Sequence, residues 1–281
     1  MMALLVSLHA AAGKIDRKAV VERNNPHVTA VDKLASLSVG NGGFAFTVDA
    51  TGLQSFPETY SPGVPLGTMS QWGWHWQKNP KQLREEESWK EYDFGRGHKE
   101  IYATQSSGDK RAQEAVDWYR VNPHRLHLGT IGLALGTDPK AVSSINQTLD
   151  MWRGEIKSSF SYKGKQYDVA TVCDPNRDIV ATRVKSDGKI AIDLRYPYPT
   201  VGHCDDACDW TKDKLHSTTI EKQQAGYALI KRVVDESIYY VTLHWQGNAK
   251  LNRPLAPDFR RQSANRDVGA NRARRRDEQA R

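Results

Sequence analysis

Short runs of alternating apolar and polar residues set the character of this chain. Phe44, Phe46 and Val48 alternate with Ala45 and Thr47, the period of two expected of a strand with one buried face. Gly40-Asn41-Gly42-Gly43 just before them predicts a tight turn back to a strand over Leu34–Val39. The same punctuation runs from Arg125 to about residue 247. Leu126 and Leu128 alternate, and Ile131, Leu133 and Leu135 alternate on the other parity. That slip at Gly129-Thr130 predicts a bulge. Ile156–Tyr162 and Tyr167–Cys173 flank Lys163-Gly164-Lys165 as one hairpin, and Ile179–Val184 and Ile190–Leu194 flank Ser186-Asp187-Gly188 as another. Thr218–Ile220, Tyr227–Val233 and Ile238–Trp245 complete a meander. Helical spacing is confined to Ile15–Glu22, stopped by Asn24-Asn25-Pro26, and to Ala112–Arg120, stopped at Asn122-Pro123. Strands this short, joined by turns without intervening helices, predict an all-β fold: a large antiparallel β-sandwich with a few short helices.

Two stretches depart from the pattern. Residues 55–100 hold Trp72, Trp74, Trp76 and Trp89 among several Pro and Gly, with little periodicity. They read as a long excursion from the sheets, and long ordered loops in compact domains are usually functional. A polar tip at 106–112 follows. The last thirty residues show neither strand alternation nor an apolar helical face, and they are Arg-rich and free of Lys. Residues 251–281 are therefore expected to be a disordered tail, its change of composition pointing to a frame change or a fragment end.

The chain has 281 residues, 38% hydrophobic and 26% charged, which suits a soluble β domain with a substantial core. No apolar run approaches the roughly 20 residues of a membrane span. The net charge of +7 is uneven: residues 252–281 carry +5 and leave the body near neutral. With no basic, aromatic-interleaved groove in that body, nucleic acid is not expected as a partner. Met1–Ala12 is apolar and ends in small residues, like the back half of a secretory signal peptide cleaved after Ala12. This predicts a secreted or periplasmic protein whose β domain spans 13–250.

The candidate chemistry is sparse. Gly40-x-Gly42-x-x-Ala45 has the spacing of a dinucleotide fingerprint, but a strand follows where that motif needs a helix, so no cofactor is expected. His203-Cys204-Asp205-Asp206-Ala207-Cys208-Asp209-Trp210 is the densest polar cluster. It has one Cys-x3-Cys pair without a matching second ligand pair, and no metal is expected. A disulfide within the loop, or from it to Cys173, is one reading. A polar loop end beside a ligand cleft is another, because carboxylates accept paired sugar hydroxyls and an indole stacks on pyranose C–H groups. Gln71-Trp72-Gly73-Trp74-His75-Trp76 puts three indoles on one parity. They form either a flat sugar platform or a core cluster under the loop. No carboxylate pair for glycoside hydrolysis can be singled out, so no catalytic residue is assigned.

Several phrases together carry a resemblance. They are Val21-Glu22-Arg23-Asn24-Asn25-Pro26, Leu37-Ser38-Val39-Gly40-Asn41-Gly42-Gly43-Phe44-Ala45-Phe46, Gln71-Trp72-Gly73-Trp74-His75, Asn122-Pro123-His124-Arg125-Leu126, Tyr196-Pro197-Tyr198-Pro199 and Asp205-Asp206-Ala207-Cys208-Asp209-Trp210. From about Ile15 to about Gly247 the chain resembles the N-terminal supersandwich domain of bacterial six-hairpin glycoside hydrolases, of the maltose- and trehalose-phosphorylase and inverting-fucosidase type. The resemblance implies an accessory domain of a secreted carbohydrate-processing enzyme, followed in the parent by an (α/α)6 barrel that holds the catalytic groups. Nothing in this chain matches that barrel. Loops of such domains rim the barrel mouth, which implies a carbohydrate-contacting role for Trp72, Trp74, His75, Asp205, Asp206 and Trp210. A stand-alone carbohydrate-binding module is the alternative.

Overall fold

The computed structural model describes residues 15–199, 208–247 and 249–251, with the backbone of two further strands at 263–264 and 268–274. Its main layer is a nine-stranded antiparallel sheet in the order His27–Val28, Val142–Asp150, Glu155–Tyr162, Lys165–Cys173, Ile179–Ser186, Val268–Arg274, Ser237–Trp245, Tyr227–Val234, His216–Gln224. The second layer is built from Leu37–Gly40, Phe44–Val48 and Thr68–Ser70, and beside them the pair Thr130–Leu133 with Ile190–Arg195.

Alternation decides what the two layers bury. Ile156 and Phe160, Tyr167 and Val169, Val180 and Val184, and Ile230 and Val234 point inward from the large sheet, against Phe44, Phe46, Val48, Leu133 and Leu194. The Phe160 and Tyr167 rings stack 5.2 Å apart across adjacent strands, and burying a side chain of that size contributes about 2–3 kcal/mol. Register in this hairpin is fixed by its turn. Lys163 and Gly164 have φ of 50° and 73°, the double positive φ of a type I′ connection that matches strand twist.

Three departures from the sequence reading have identifiable causes. Ile179–Ser186 and Ile190–Arg195 do not form a hairpin: the first pairs with Lys165–Cys173, the second with Thr130–Leu133 in the other layer. The connection between them is fastened sideways, since the Asp187 carboxylate accepts from Gln166 N (2.9 Å) and Ser186 Oγ accepts from Gly188 N (3.0 Å). The chain therefore turns a corner between sheets instead of folding back. The strand expected from Leu34 starts at Leu37, because Asp32 closes a turn by accepting from Leu34 N (2.9 Å). Val142–Asp150 is a strand that its polar sequence did not announce, irregular between Ser143 and Asn146.

Helices α1 (Arg17–Glu22), α2 (Pro57–Tyr60) and α3 (Lys110–Val121) are short. The third starts earlier than expected because the Asp109 carboxylate accepts from Ala112 N (2.7 Å) and caps it. The excursion is more structured than its composition suggested. Thr68–Ser70 joins the second layer, Trp74–His75 pairs with His124–Arg125, and Trp89–Asp93 pairs with Lys99–Ala103 as a separate two-stranded ribbon. All ten residues of that ribbon are exposed. The leader expected at 1–12 lies outside the described residues, as does most of the tail at 251–281; there, the Val268–Arg274 backbone pairs between Ile179–Ser186 and Ser237–Trp245.

Candidate functional site

Four residues around Trp74 show how one short segment divides between core and surface. Gly73 and His75 are buried, whereas Trp74 and Trp76 are 44% and 53% exposed. Trp72 shares their parity but turns in at the segment's start. Its Nε1–H donates to Asp178 Oδ2 (2.8 Å), an oxygen that also accepts from Ser70 Oγ (2.7 Å), and its ring packs on Tyr239 at 6.1 Å. An indole N–H turned inward in this way needs such an acceptor. Trp72 is thus part of the wall between the layers, and the three indoles do not form one flat face.

Trp74 is half occupied. Arg125 lies directly opposite it in the strand pair, with its guanidinium 4.0 Å over the indole. Arg125 is held there by donating to the Ser70 and Gln71 carbonyls at 3.3 and 3.2 Å. Trp76 meets only the tilted ring of Trp118, 5.8 Å away among the described ring contacts.

His75, fully buried, anchors the segment from behind. Its Nε2 faces Asp235 Oδ2 at 2.9 Å and its Nδ1 faces His124 Nε2 at 3.0 Å. The next link fixes the protons. His124 Nδ1 lies 3.1 Å from the Val121 carbonyl, so it must donate, and a neutral His124 then accepts from His75 Nδ1–H. Asp235 accepts from the Tyr198 hydroxyl (2.8 Å) as well. An ionised carboxylate only accepts, so filling every bond takes one proton more than two neutral imidazoles carry. Burial works against that proton and pulls both histidines below their usual range; Asp235 draws His75 part of the way back. Burial and Asp235 push the Tyr198 hydroxyl up to about 12, which keeps it a donor. Chemically this is a positioning clamp: it joins residues 160 apart in sequence and locks the strand whose outward neighbours are Trp74 and Trp76.

Trp210 sits elsewhere, under the Arg195 guanidinium (4.5 Å) and edge-on to His127 (5.8 Å). Arg195 also pairs with Glu58. Asp209 accepts from the Thr211 amide and hydroxyl (2.8 and 2.6 Å), which hold its carboxyl below the ordinary carboxylate range. Asp205 and Asp206 lie outside the described residues. So does Cys204; Cys173 is a free thiol, not one end of a bridge, and burial pushes it up to about 11.

Arg232, on the inward parity of its strand, escaped the sequence reading. It is fully buried and donates to the Ser217 carbonyl (2.8 Å), the Thr218 hydroxyl and His216 Nδ1 (2.8 Å), with Tyr196 stacked 4.5 Å away. Arginine cannot accept, so His216 is held with its proton on Nε2. Burial and the neighbouring guanidinium lower its pKa to about 4. Strict alternation through Tyr227-Ala228-Leu229-Ile230-Lys231-Arg232-Val233 was the available signal, because one of the two cations had to face inward.

No protein-family model matches the chain, and no curated protein matches it. Among solved structures, a human-microbiome protein described as a kojibiose phosphorylase is similar over 86% of this chain, at a TM-score of 0.41 and 10% identity. The chain spans 30% of that protein's length.

Proposed function

We propose that this chain is the accessory β domain of a carbohydrate-processing enzyme, whose task is to hold sugar near a catalytic barrel not contained in these residues. The observation that carries the reading is the pair Trp74 and Trp76, kept 44% and 53% exposed by a strand whose intervening residue, His75, is clamped in the core. Exposing large aromatic rings from an otherwise satisfied scaffold costs solvation that a folding role does not return, and rigid rings offer contact area at low entropy cost. The phrases shared with supersandwich domains support the same reading, and so does the all-β fold. The purified chain is expected to bind oligosaccharides, seen as a change in tryptophan fluorescence, and to leave aryl glycosides intact. Turnover abolished by a single carboxylate substitution would sink the accessory role.

A stand-alone binding module is the second reading. It is favoured by the fact that both exposed indoles and the clamp behind them are complete within one chain. Secretion belongs to the proposal too, and rests on Met1–Ala12. N-terminal sequencing of the protein recovered from its producing cells should begin at Gly13; an intact Met1 removes that part.

A further inference from the structure

Below Trp76 lies an open depression of about 420 Å³, within the range of small-molecule sites and toward its lower end. One wall is helix α3, through Val116, Tyr119 and Arg120; the opposite wall is the short 3-10 turn carrying Glu85 and Ser88. Gln105, at the foot of the exposed ribbon, and Asn122 close the ends.

The walls are cross-braced. Arg111 on α3 donates to Glu87 Oε2 (2.9 Å) and to the carbonyls of Lys81 and Gln82 (2.9 and 3.0 Å), tying the helix to the turn. Tyr119 adds a bond from its hydroxyl to the Leu83 carbonyl (3.0 Å), and Thr104 N donates to the Ser88 carbonyl (2.8 Å). Asn122, buried, accepts from Gln77 N (3.0 Å) and donates to the Trp118 carbonyl (3.0 Å), which fixes the end of the helix beside Trp76. Every bond that holds the walls is therefore made by groups other than the Glu85 carboxylate and the Arg120 guanidinium. Among the described residues neither of those two enters an ion pair, although Glu87, Arg84, Lys81 and Arg111 around them all do. A braced pocket with an indole on its rim, apolar floor atoms and one uncommitted acceptor and donor is pre-organised for a ligand that offers a flat C–H face and adjacent hydroxyls.

We propose that this depression is a carbohydrate subsite taking a neutral pyranose unit. Its ring stacks on Trp76, and vicinal hydroxyls are shared between Glu85, as acceptor, and Arg120, as donor. The inference rests on the carbohydrate reading above and moves the contact from the segment around Trp74 to the far side of Trp76. Opposite charges at the rim cancel, which favours a neutral ligand over an anion.

The test is calorimetric titration of the full chain with maltotriose, cellotriose and xylotriose, at low and high salt. One trisaccharide should bind, with a Kd that salt leaves unchanged. Trp76→Ala should weaken it at least about tenfold, the equivalent of about 1.4 kcal/mol, and Arg120→Met about fivefold. Trp152→Ala, which removes an exposed indole from a separate turn, should leave the Kd alone, and all three variants should melt with the parent. Binding that survives Trp76→Ala and is lost in Trp74→Ala overturns the subsite and leaves the carbohydrate reading standing. Binding that weakens steeply with salt overturns the neutral-sugar assignment. Absence of binding by all three sugars to the folded chain overturns the subsite together with the binding role.

Discussion

Trp72 and Trp76 stand four residues apart in one loop and have opposite surroundings. Trp72 gives its N–H to Asp178 and its ring to Tyr239; Trp76 is half exposed and rests on one neighbouring indole. The contrast extends to their regions. On the sandwich side, the Asp49 carboxylate is fully committed: it accepts from Thr51 N, Thr51 Oγ1, Ser55 N and Phe56 N at 2.5–2.9 Å. On the excursion side, Glu85 and Arg120 keep their charged ends uncommitted while the backbone beneath them is tied down. Satisfied groups stabilise a fold. Ordered but unsatisfied ones are free to meet something else.

Substitutions should separate the two regions, and the largest effect is expected at Asp49. Asp49→Ala leaves four donors facing a buried apolar methyl, and urea unfolding should show a loss of about 3–5 kcal/mol. A loss under about 1 kcal/mol would mean that the loop is not the anchor described. Trp72→Ala removes packing and a partly buried hydrogen bond and should cost about 2–3 kcal/mol in the same assay.

Acid comes next. His75, His124 and His216 are held below the usual histidine range, His216 at about 4. Their unfolded forms take protons near pH 6.5 while the folded forms do not, so stability is retained above about 6.5 and falls as the pH drops toward 4. Asp49 acts in the other direction: burial raises its carboxyl to about 6, so its protonation favours the folded state as pH falls below that value. His216→Gln keeps an acceptor for Arg232 and removes one titration. Its stability should fall less than the parent's between pH 6.5 and 4, and an unchanged slope would discard the assignment. The smallest effect is expected at Trp76. Trp76→Ala should shift unfolding by no more than about 0.5 kcal/mol, which closes the comparison with Trp72.

The legible parts of this fold were those where burial alternates. Glu155–Tyr162, Lys165–Cys173, Tyr227–Val234 and Ser237–Trp245 show it directly, each with one face in the core, whereas His216–Gln224 at the sheet's edge alternates only between half-buried and exposed as far as Glu221. The ribbon Trp89–Asp93 with Lys99–Ala103 was not legible, because neither face is buried and no hydrophobic period was selected. The corner after Ser186 was misread for a different reason: alternation tells which residues face inward but not which sheet receives the strand. At the site, the indoles of Trp74 and Trp76 were visible in the sequence. The clamp behind them was not, since Asp235 lies 160 residues from His75 and only folding brings them together. Early capping of α3 could have been found from Asp109, three residues ahead of Ala112.

The exposed ribbon has one more consequence. Its tip is Gly95-Arg96-Gly97, all three at positive φ, with no strand neighbours outside the ribbon among the described residues. A peptide bond there can be cut without disturbing the nine-stranded sheet. Limited trypsin treatment should nick the chain after Arg96 before it touches the body, giving two bands on a denaturing gel and a single species by gel filtration. Covalent continuity and structural continuity then part company at this point: the molecule is two chains to a chemist and still one fold to water.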